Sequence, residues 1–431
     1  MERDLYRDLL KWKNSPYRKP LVLFGARQTG KTWLLKEFGH REYKNLAYIN
    51  CDNNPDITGL FFDFNIERLI RSFSVITEQI IQKHDTLIIL DEVQEVPMAL
   101  TALKYFSENA PEYHIAVAGS FLGINVHKGS GYPVGKVDEL YLYPLSFLEF
   151  LKASGNNSLV EMMQEHHWTE FAPLHERCRD LLRQYYFTGG MPEVVQHYVI
   201  NRDVQEVRNI QRRILRDYRS DFSKHIPAPL LSKVNLVWDS IPSHLAKENK
   251  KFVYGAVKKG ARAKDLEDAI QWLLDTGLVF KVNRVSKIEM PLKFYEEFGS
   301  FKLFLNDLGL LGAMVDVPIR MILLKDNFLE EYKGAFTEQY VGQQLTAVGI
   351  KPYYYTNERS TLEIDFVIQK ENVYPIEVKA EENLRSKSLR TIVTSGNNLT
   401  GWRFSMSDYR VQDWMINIPL YLVQEWVTAA D

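Results

Sequence analysis

The sequence predicts an α/β protein built in four parts. A parallel sheet lies near the N-terminus, then a mostly helical stretch, a helix–hairpin unit and a C-terminal α/β segment. Three observations predict it. Over residues 1 to about 150, four short apolar runs alternate with helix-patterned stretches: Leu21–Phe24, Leu46–Asn50, Thr86–Leu90 and Ile115–Ala118. Each has the length of a strand buried on both faces. Around residue 270 a helical apolar pattern, Leu266, Ile270, Trp272, Leu273 and Leu274, runs into the strand-like Leu278–Val282. Near residue 365, Leu362, Ile364, Phe366 and Ile368 alternate with polar residues at the period of a strand.

Size and composition bound the reading. At 431 residues the chain is long enough for about three domains. Apolar residues make up 45% and charged residues 25%, which excludes a mainly disordered chain. The formal charge is −2, so any contact with nucleic acid has to come from a local basic patch. Cys51 and Cys178 form no disulfide framework and no metal-ligand spacing, as expected of a chain in a reducing cytosol. No apolar run reaches the length of a membrane span, and the charged start Met1-Glu2-Arg3-Asp4 does not read as a secretory signal. A cytoplasmic location is expected. The paired His166 and His167 have no Cys or acid at metal spacing and read as helix surface.

The first run leads into Gly25-Ala26-Arg27-Gln28-Thr29-Gly30-Lys31-Thr32, which fits the phosphate-loop pattern G-x-x-x-x-G-K-[ST], and a helical run, Trp33–Phe38, follows. Glycines let the backbone wrap closely around phosphates, so that several N–H groups point inward. The helix N-terminus adds partial positive charge. Lys31 can reach the β- and γ-phosphates, and the Thr32 hydroxyl can ligate Mg²⁺. The third run, Thr86–Leu90, delivers Asp91 and Glu92 at its C-terminal edge, where open α/β sheets bind ligands. Asp91 is expected to hold Mg²⁺ through water, and Glu92 to polarise the attacking water. The fourth run ends at Gly119-Ser120, where Ser120 is either a γ-phosphate sensor or a simple turn serine.

With these residues the chain resembles the prokaryotic AAA-type ATP-binding proteins whose phosphate loop reads G-A-R-Q-x-G-K-T and whose acidic strand reads L-D-E-V-Q. Gly25–Thr32 and Leu90–Gln94 carry the match, with Val134-Gly135-Lys136 and Tyr143–Phe150. Gly189-Gly190-Met191-Pro192-Glu193 is similar to the G-G-x-P turn in the lid of signal-transducing P-loop ATPases. That resemblance gives Pro192 a nucleotide-sensing role, whereas the residues alone favour a helix-breaking turn. Arg208, Arg212, Arg213, Arg216 and Arg219 recur on one helix. They read as a solvated face or as candidates to reach a neighbouring subunit's γ-phosphate.

Between His244 and Lys264 the basic residues Lys247, Lys250, Lys251, Lys258, Lys259, Arg262 and Lys264 face one acid, Glu248, a local charge of +6 over 21 residues. Phe252 and Tyr254 lie among them. Residues 231–290, short helices followed by a small hairpin, outline a winged helix-turn-helix, on which such a patch would meet phosphates, positioning a duplex without reading its sequence. A solvated face, or a winged helix that only packs on the lid, accounts for it equally well.

In Thr361–Ile368 the acids Glu363 and Asp365 share the face opposite the apolar residues, and in Ile376-Glu377-Val378-Lys379 Glu377 and Lys379 do the same. Paired as a hairpin across Gln369–Asn372, the two segments bring Asp365, Glu377 and Lys379 together. Glu338, on a helix with Phe336, Tyr340, Val341 and Leu345, can project to the same place. Carboxylates that hold one or two Mg²⁺ ions, with a lysine to position water, suit phosphodiester cleavage. An amphipathic hairpin with a solvated charged face is the plain alternative.

This set resembles the PD-(D/E)xK nuclease fold, although Thr361 and Leu362 stand where a Pro-Asp pair is usual. Phe301–Leu310 and Lys333–Glu338 resemble the domain of unknown function that commonly follows this ATPase type. The resemblance implies a P-loop NTPase core over 1–160, a helical lid over 161–225, a winged helix and connector over 226–320 and a restriction-endonuclease-like domain over 321–431. It implies an ATPase that uses ATP and Mg²⁺ and works as a homo-oligomer on duplex or branched DNA, away from membranes. The catalytic residues would be Lys31, Glu92, Asp365, Glu377 and Lys379; the metal ligands would be Thr32, Asp91, Glu338, Asp365 and Glu377. The alternative is a regulatory nucleotide switch whose degenerate nuclease domain binds a partner or DNA. A small-molecule kinase is disfavoured, because adjacent acids at Asp91-Glu92 suit water activation.

Overall fold

The computed structural model describes the chain except residues 53, 120–131, 248–249, 319–329, 360, 381–385, 396–398 and 430–431. It falls into two compact units. Glu2–Tyr143 with Asp275–Gly277 form the first; Pro144–Leu274 with Leu278–Asp431 form the second. The expected boundary near 320 lies outside the described residues.

The first unit is built on a five-stranded sheet. Its strands are β1 (Leu21–Phe24), β2 (Asn45–Asn50), β3 (Thr86–Asp91), β4 (His114–Ala118) and β5 (Asp138–Tyr141), in spatial order β2-β3-β4-β1-β5. All the pairings are parallel. Alternate side chains divide between two cores. Val22, Phe24, Ile88, Leu90, Ile115 and Val117 face one core with Leu69 and Phe73 of helix Ile66–Thr77 and Leu103 and Phe106 of helix Pro97–Asn109. Leu21, Leu23, Leu87, Ile89, Ala116 and Ala118 face the other with Leu9 and Trp12 of helix Tyr6–Asn14 and Leu34, Leu35 and Phe38 of helix Lys31–Glu42. Helices on both faces explain why the inner strands read as unbroken apolar runs. The expected parallel α/β sheet is present. It gains a fifth strand, β5, whose partly exposed Asp138-Glu139-Leu140-Tyr141 gave no such run.

The order also sets up the ligand site. β4 lies between β1 and β3, so the phosphate loop and the acidic strand end are not on neighbouring strands. Both open at the C-terminal edge of the sheet, on either side of β4.

The second unit begins with helices, among them His175–Thr188, Pro192–Asn201, Val204–His225 and Ala228–Leu245. An eight-stranded mixed sheet follows. Its strands are β6 (Val279–Val285), β7 (Glu296–Leu305), β8 (Tyr353–Thr356), β9 (Glu363–Gln369), β10 (Val373–Lys379), β11 (Gly401–Ser405), β12 (Arg410–Val411) and β13 (Met415–Pro419). The order is β12-β13-β11-β10-β9-β8-β6-β7. The hairpin β9–β10 pairs antiparallel with Val373 opposite Gln369, and β10 pairs parallel with β11. The hairpin β6–β7, in the place of an expected wing, joins this same sheet because Asn283–Val285 pair with Tyr353–Tyr355 of β8. No helix among the described residues is long and apolar enough to cross a membrane.

Candidate functional sites: a phosphate loop and a buried carboxylate pocket

In the first unit, the chain leaves β1 at Gly25, where a side chain is sterically impossible: a Cβ there would lie 2.4 Å from the Leu142 carbonyl oxygen. Gln28 and Gly30 take left-handed backbone angles, with φ of 64° and 93°. The buried Thr29 hydroxyl donates to the Ala26 carbonyl at 2.8 Å, and Arg3 donates to the Thr29 carbonyl at 2.9 Å. Arg3 also reaches the Tyr143 carbonyl, so one buried guanidinium ties the loop to the end of the unit. Helix Lys31–Glu42 starts on Gly30 with no side-chain cap, which leaves its first-turn amides for an anion. Lys31 Nζ donates to the Gly25 and Ala26 carbonyls at 2.9 Å each. Burial pulls the Lys31 ammonium down to about 8, against the opposing pull of Glu92 and Asp91. These features fit a polyphosphate.

The expected magnesium ligands meet. The Thr32 hydroxyl donates to Asp91 Oδ2 at 2.7 Å, and the Tyr48 hydroxyl donates to the same oxygen at 3.0 Å. Two hard oxygen donors from different elements in mutual contact fit Mg²⁺, which takes few protein ligands and keeps several waters. When bound, the ion neutralises phosphate charge; Thr32 and Asp91 would hold it. Glu92 follows in a left-handed conformation, φ 51°, and Gln94 Nε2 donates to its Oε2. A non-glycine residue held there is turned out of the strand by the surrounding structure. Arg3 and Tyr48 escape pattern reading, because their roles depend on contacts distant in sequence; Gln94 lies in the matched acidic motif, but its bond to Glu92 depends on a turn.

Ser120 lies outside the described residues. Pro192 is in the second unit, at the start of helix Pro192–Asn201. The Gly189-Gly190 pair before it is pinned by packing: Cβ atoms would come 2.3 Å from Asp307 Oδ1 and 2.1 Å from the Leu145 carbonyl oxygen. The Gly190 N–H donates to Asp307 Oδ2 at 2.6 Å, and the Leu145 N–H donates to the Gly190 carbonyl. Of the five arginines on helix Val204–His225, Arg208 is buried against the Val317 carbonyl, while Arg212, Arg213 and Arg219 pair with Asp316, Glu193 and Asp239. Arg216 is exposed.

In the second unit, Glu338, Asp365, Glu377 and Lys379 come together with three basic residues that pattern reading did not assign to the pocket. Lys302 of β7 is fully buried; its Nζ lies 2.8 Å from Glu363 Oε1 and 3.4 Å from Glu338 Oε2. Lys250 Nζ lies 2.5 Å from Glu338 Oε1. Lys379 pairs with Glu377 at 2.8 Å, and the buried Arg403 of β11 stands opposite Glu377 in the strand register. Asp365 Oδ2 accepts from the Val378 N–H at 2.7 Å.

Burial alone would lower the Lys302 ammonium, but Glu338, Glu363 and Asp365 outweigh it and hold it above the ordinary lysine value. Glu338, which burial would raise, is instead held low by Lys302 and Lys250. Burial and the Glu338 charge push Asp365 up to about 7. Among the described residues, no group of three or more His, Cys, Asp or Glu is placed to hold a metal ion. Of the carboxylates expected to take Mg²⁺ in this unit, Glu338 is engaged by Lys302 and Lys250 and Glu377 by Lys379, while Asp365 accepts from a backbone N–H.

The basic stretch divides. Lys250 is drawn into this pocket, whereas Lys247, Lys251, Lys258, Lys259, Arg262 and Lys264 are exposed. Phe252 is buried between His244 and Phe301 and offers no face to a base.

Residues 17–151 match the model of an AAA domain. Residues 179–320 and 333–422 match two models described as domains of unknown function, DUF8612 and DUF4143. No curated protein matches the chain. Among solved structures, the chain is similar to a Walker-type ATPase of Pyrococcus abyssi, with 14% identity over 73% of this chain and 95% of that one and a TM-score of 0.44. It is similar to the ORC1 protein of Aeropyrum pernix, solved in complex with DNA, with 14% identity over 74% and 92% and a TM-score of 0.29. It is also similar to a signal transduction ATPase with numerous domains (STAND) from Pyrococcus horikoshii, with 14% identity over 80% and 45% and a TM-score of 0.27.

Proposed function

We propose, starting from an AAA-type P-loop ATPase domain at residues 17–151, that this chain binds and hydrolyses Mg²⁺-ATP and couples that cycle to DNA held by its second unit. The observation that carries the proposal is the contact between the Thr32 hydroxyl and Asp91, beside the Lys31 ammonium. Lys31 and the loop amides grip the β- and γ-phosphates; Glu92, oriented by Gln94, accepts the proton of the attacking water. The six exposed basic residues between Lys247 and Lys264 support contact with a phosphate backbone. Turnover measured with duplex, single-stranded and four-way DNA tests the coupling. A rate that no DNA changes, with no DNA retained at low salt, would end it.

A second reading concerns the fate of the nuclease-like pocket. Lys250 and Lys302 seated on Glu338 and Glu363 favour a pocket that no longer cuts, in a protein that works as a nucleotide-driven switch. Nicking of labelled DNA with Mg²⁺ or Mn²⁺, abolished by Asp365→Ala and Lys379→Ala while ATP turnover survives, would rule that reading out.

A further inference from the structure

Phosphodiester chemistry by clustered carboxylates needs a cation among them. In the second unit that role is filled from within the chain. Glu338 and Glu363 come from a helix and from β9, and Lys302, on β7, bridges them with no solvent exposure. Lys250 closes on the remaining Glu338 oxygen. Farther along the pocket, Glu377 has Lys379 and Arg403 beside it. Four acids, Glu338, Glu363, Asp365 and Glu377, thus lie among four basic groups, and no added ion is needed to offset their charge. A divalent cation entering between Glu338 and Asp365 would meet the buried Lys302 ammonium at close range in a poorly solvated site, where like charges repel strongly.

We infer that Lys302 is a built-in cation that takes the place of a divalent metal, so that the pocket formed by Glu338, Glu363, Asp365 and Glu377 binds no metal ion. The inference rests on the non-cutting reading and gives it a cause. Removing the ammonium while keeping the bulk, in Lys302→Met, leaves the acids in excess and converts the pocket into one that takes a divalent ion.

The test uses the full chain without nucleotide and Mn²⁺ alone as the probe. Free Mn²⁺ is counted by electron paramagnetic resonance, and unfolding is followed by calorimetry. The wild type is expected to hold no Mn²⁺ that Asp365→Asn releases. Lys302→Met is expected to melt at a lower temperature and to recover with Mn²⁺, and the recovery is expected to vanish in Lys302→Met/Asp365→Asn. A wild-type Mn²⁺ site that depends on Asp365 overturns the inference, as does a folded Lys302→Met that Mn²⁺ leaves unchanged. Should Lys302→Met not fold, the wild-type count decides, with Lys250→Gln, whose side chain is less deeply buried than that of Lys302, as the second variant expected to gain Mn²⁺ affinity. Metal binding without nicking would overturn this inference and leave the non-cutting reading standing. Nicking that needs no added metal would do the reverse.

Discussion

The Thr32 hydroxyl and Asp91 Oδ2 meet at 2.7 Å, although they come from opposite sides of β4. One residue opens the helix behind the phosphate loop, and the other ends the acidic strand. Removing the hydroxyl in Thr32→Val takes one hard donor from the proposed magnesium site. Hydrogen bonds to charged groups are worth about 1.5–3 kcal/mol, so Mg²⁺-ATP affinity should fall roughly tenfold or more. Isothermal titration with and without Mg²⁺ reads this directly, and affinity for metal-free ATP should change much less.

Substitution of Glu92 is expected to separate binding from turnover. Glu92→Gln keeps the Gln94 contact and the loop but loses the proposed proton acceptor. Turnover should drop about 10²–10⁴-fold with ATP affinity retained. Equal losses in both would place Glu92 in binding instead.

The Gly189-Gly190 turn carries a steric prediction. A Cβ at Gly190 would lie 2.1 Å from the Leu145 carbonyl oxygen, a backbone atom that cannot swing away. Gly190→Ala should destabilise the second unit by on the order of 3 kcal/mol, read by denaturant unfolding. Pro192→Ala, at the first position of its helix, should cost little stability. A change in ATP affinity in Pro192→Ala would support nucleotide sensing, and an unchanged affinity would leave the turn a packing device.

Asp307 sets a pH dependence. Burial pushes its carboxyl from 3.8 up to about 6, against the N–H groups of Gly190, Leu310 and Gly309 that favour the ionised form. An acid raised on folding keeps its proton longer in the folded chain. The folded state therefore binds more protons between 3.8 and about 6, and this group's contribution falls as pH rises through that window, fully lost above it. Asp307→Asn should flatten that slope in melts run from pH 4 to 7, and should cost about 1–3 kcal/mol through weakened acceptance from the turn amides.

Much of the first unit was legible in the sequence, for a physical reason. Its inner strands are buried on both faces, so β1, β3 and β4 appear as apolar runs, and the loop glycines answer to local sterics. β5 was missed because an edge strand with two acids carries no such run. The carboxylates Asp365 and Glu377 were legible from strand alternation. Lys302 and Lys250 were not: each reads as an ordinary lysine, and only the pairing of β6 with β8 and the fold of the helix carrying Glu338 reveal what they face. Arg3 was hidden likewise, because its partners are backbone carbonyls far along the chain.

The exposed basic run makes a prediction about DNA. Lys251→Gln/Lys258→Gln/Lys259→Gln should weaken retention of every duplex alike. The slope of log affinity against log salt should become shallower by about 0.9 for each phosphate no longer neutralised. Fluorescence anisotropy at several salt concentrations checks it. An effect confined to one sequence would point to base reading instead.

The most direct test of the account is calorimetric titration of ATP into the full chain with Mg²⁺ present, in the wild type and in Lys31→Ala. The wild type should bind ATP with an affinity that drops when Mg²⁺ is withheld, and Lys31→Ala should bind at least about tenfold more weakly. Absence of any magnesium-dependent binding in the wild type, or equal affinity in the two proteins, would contradict the account.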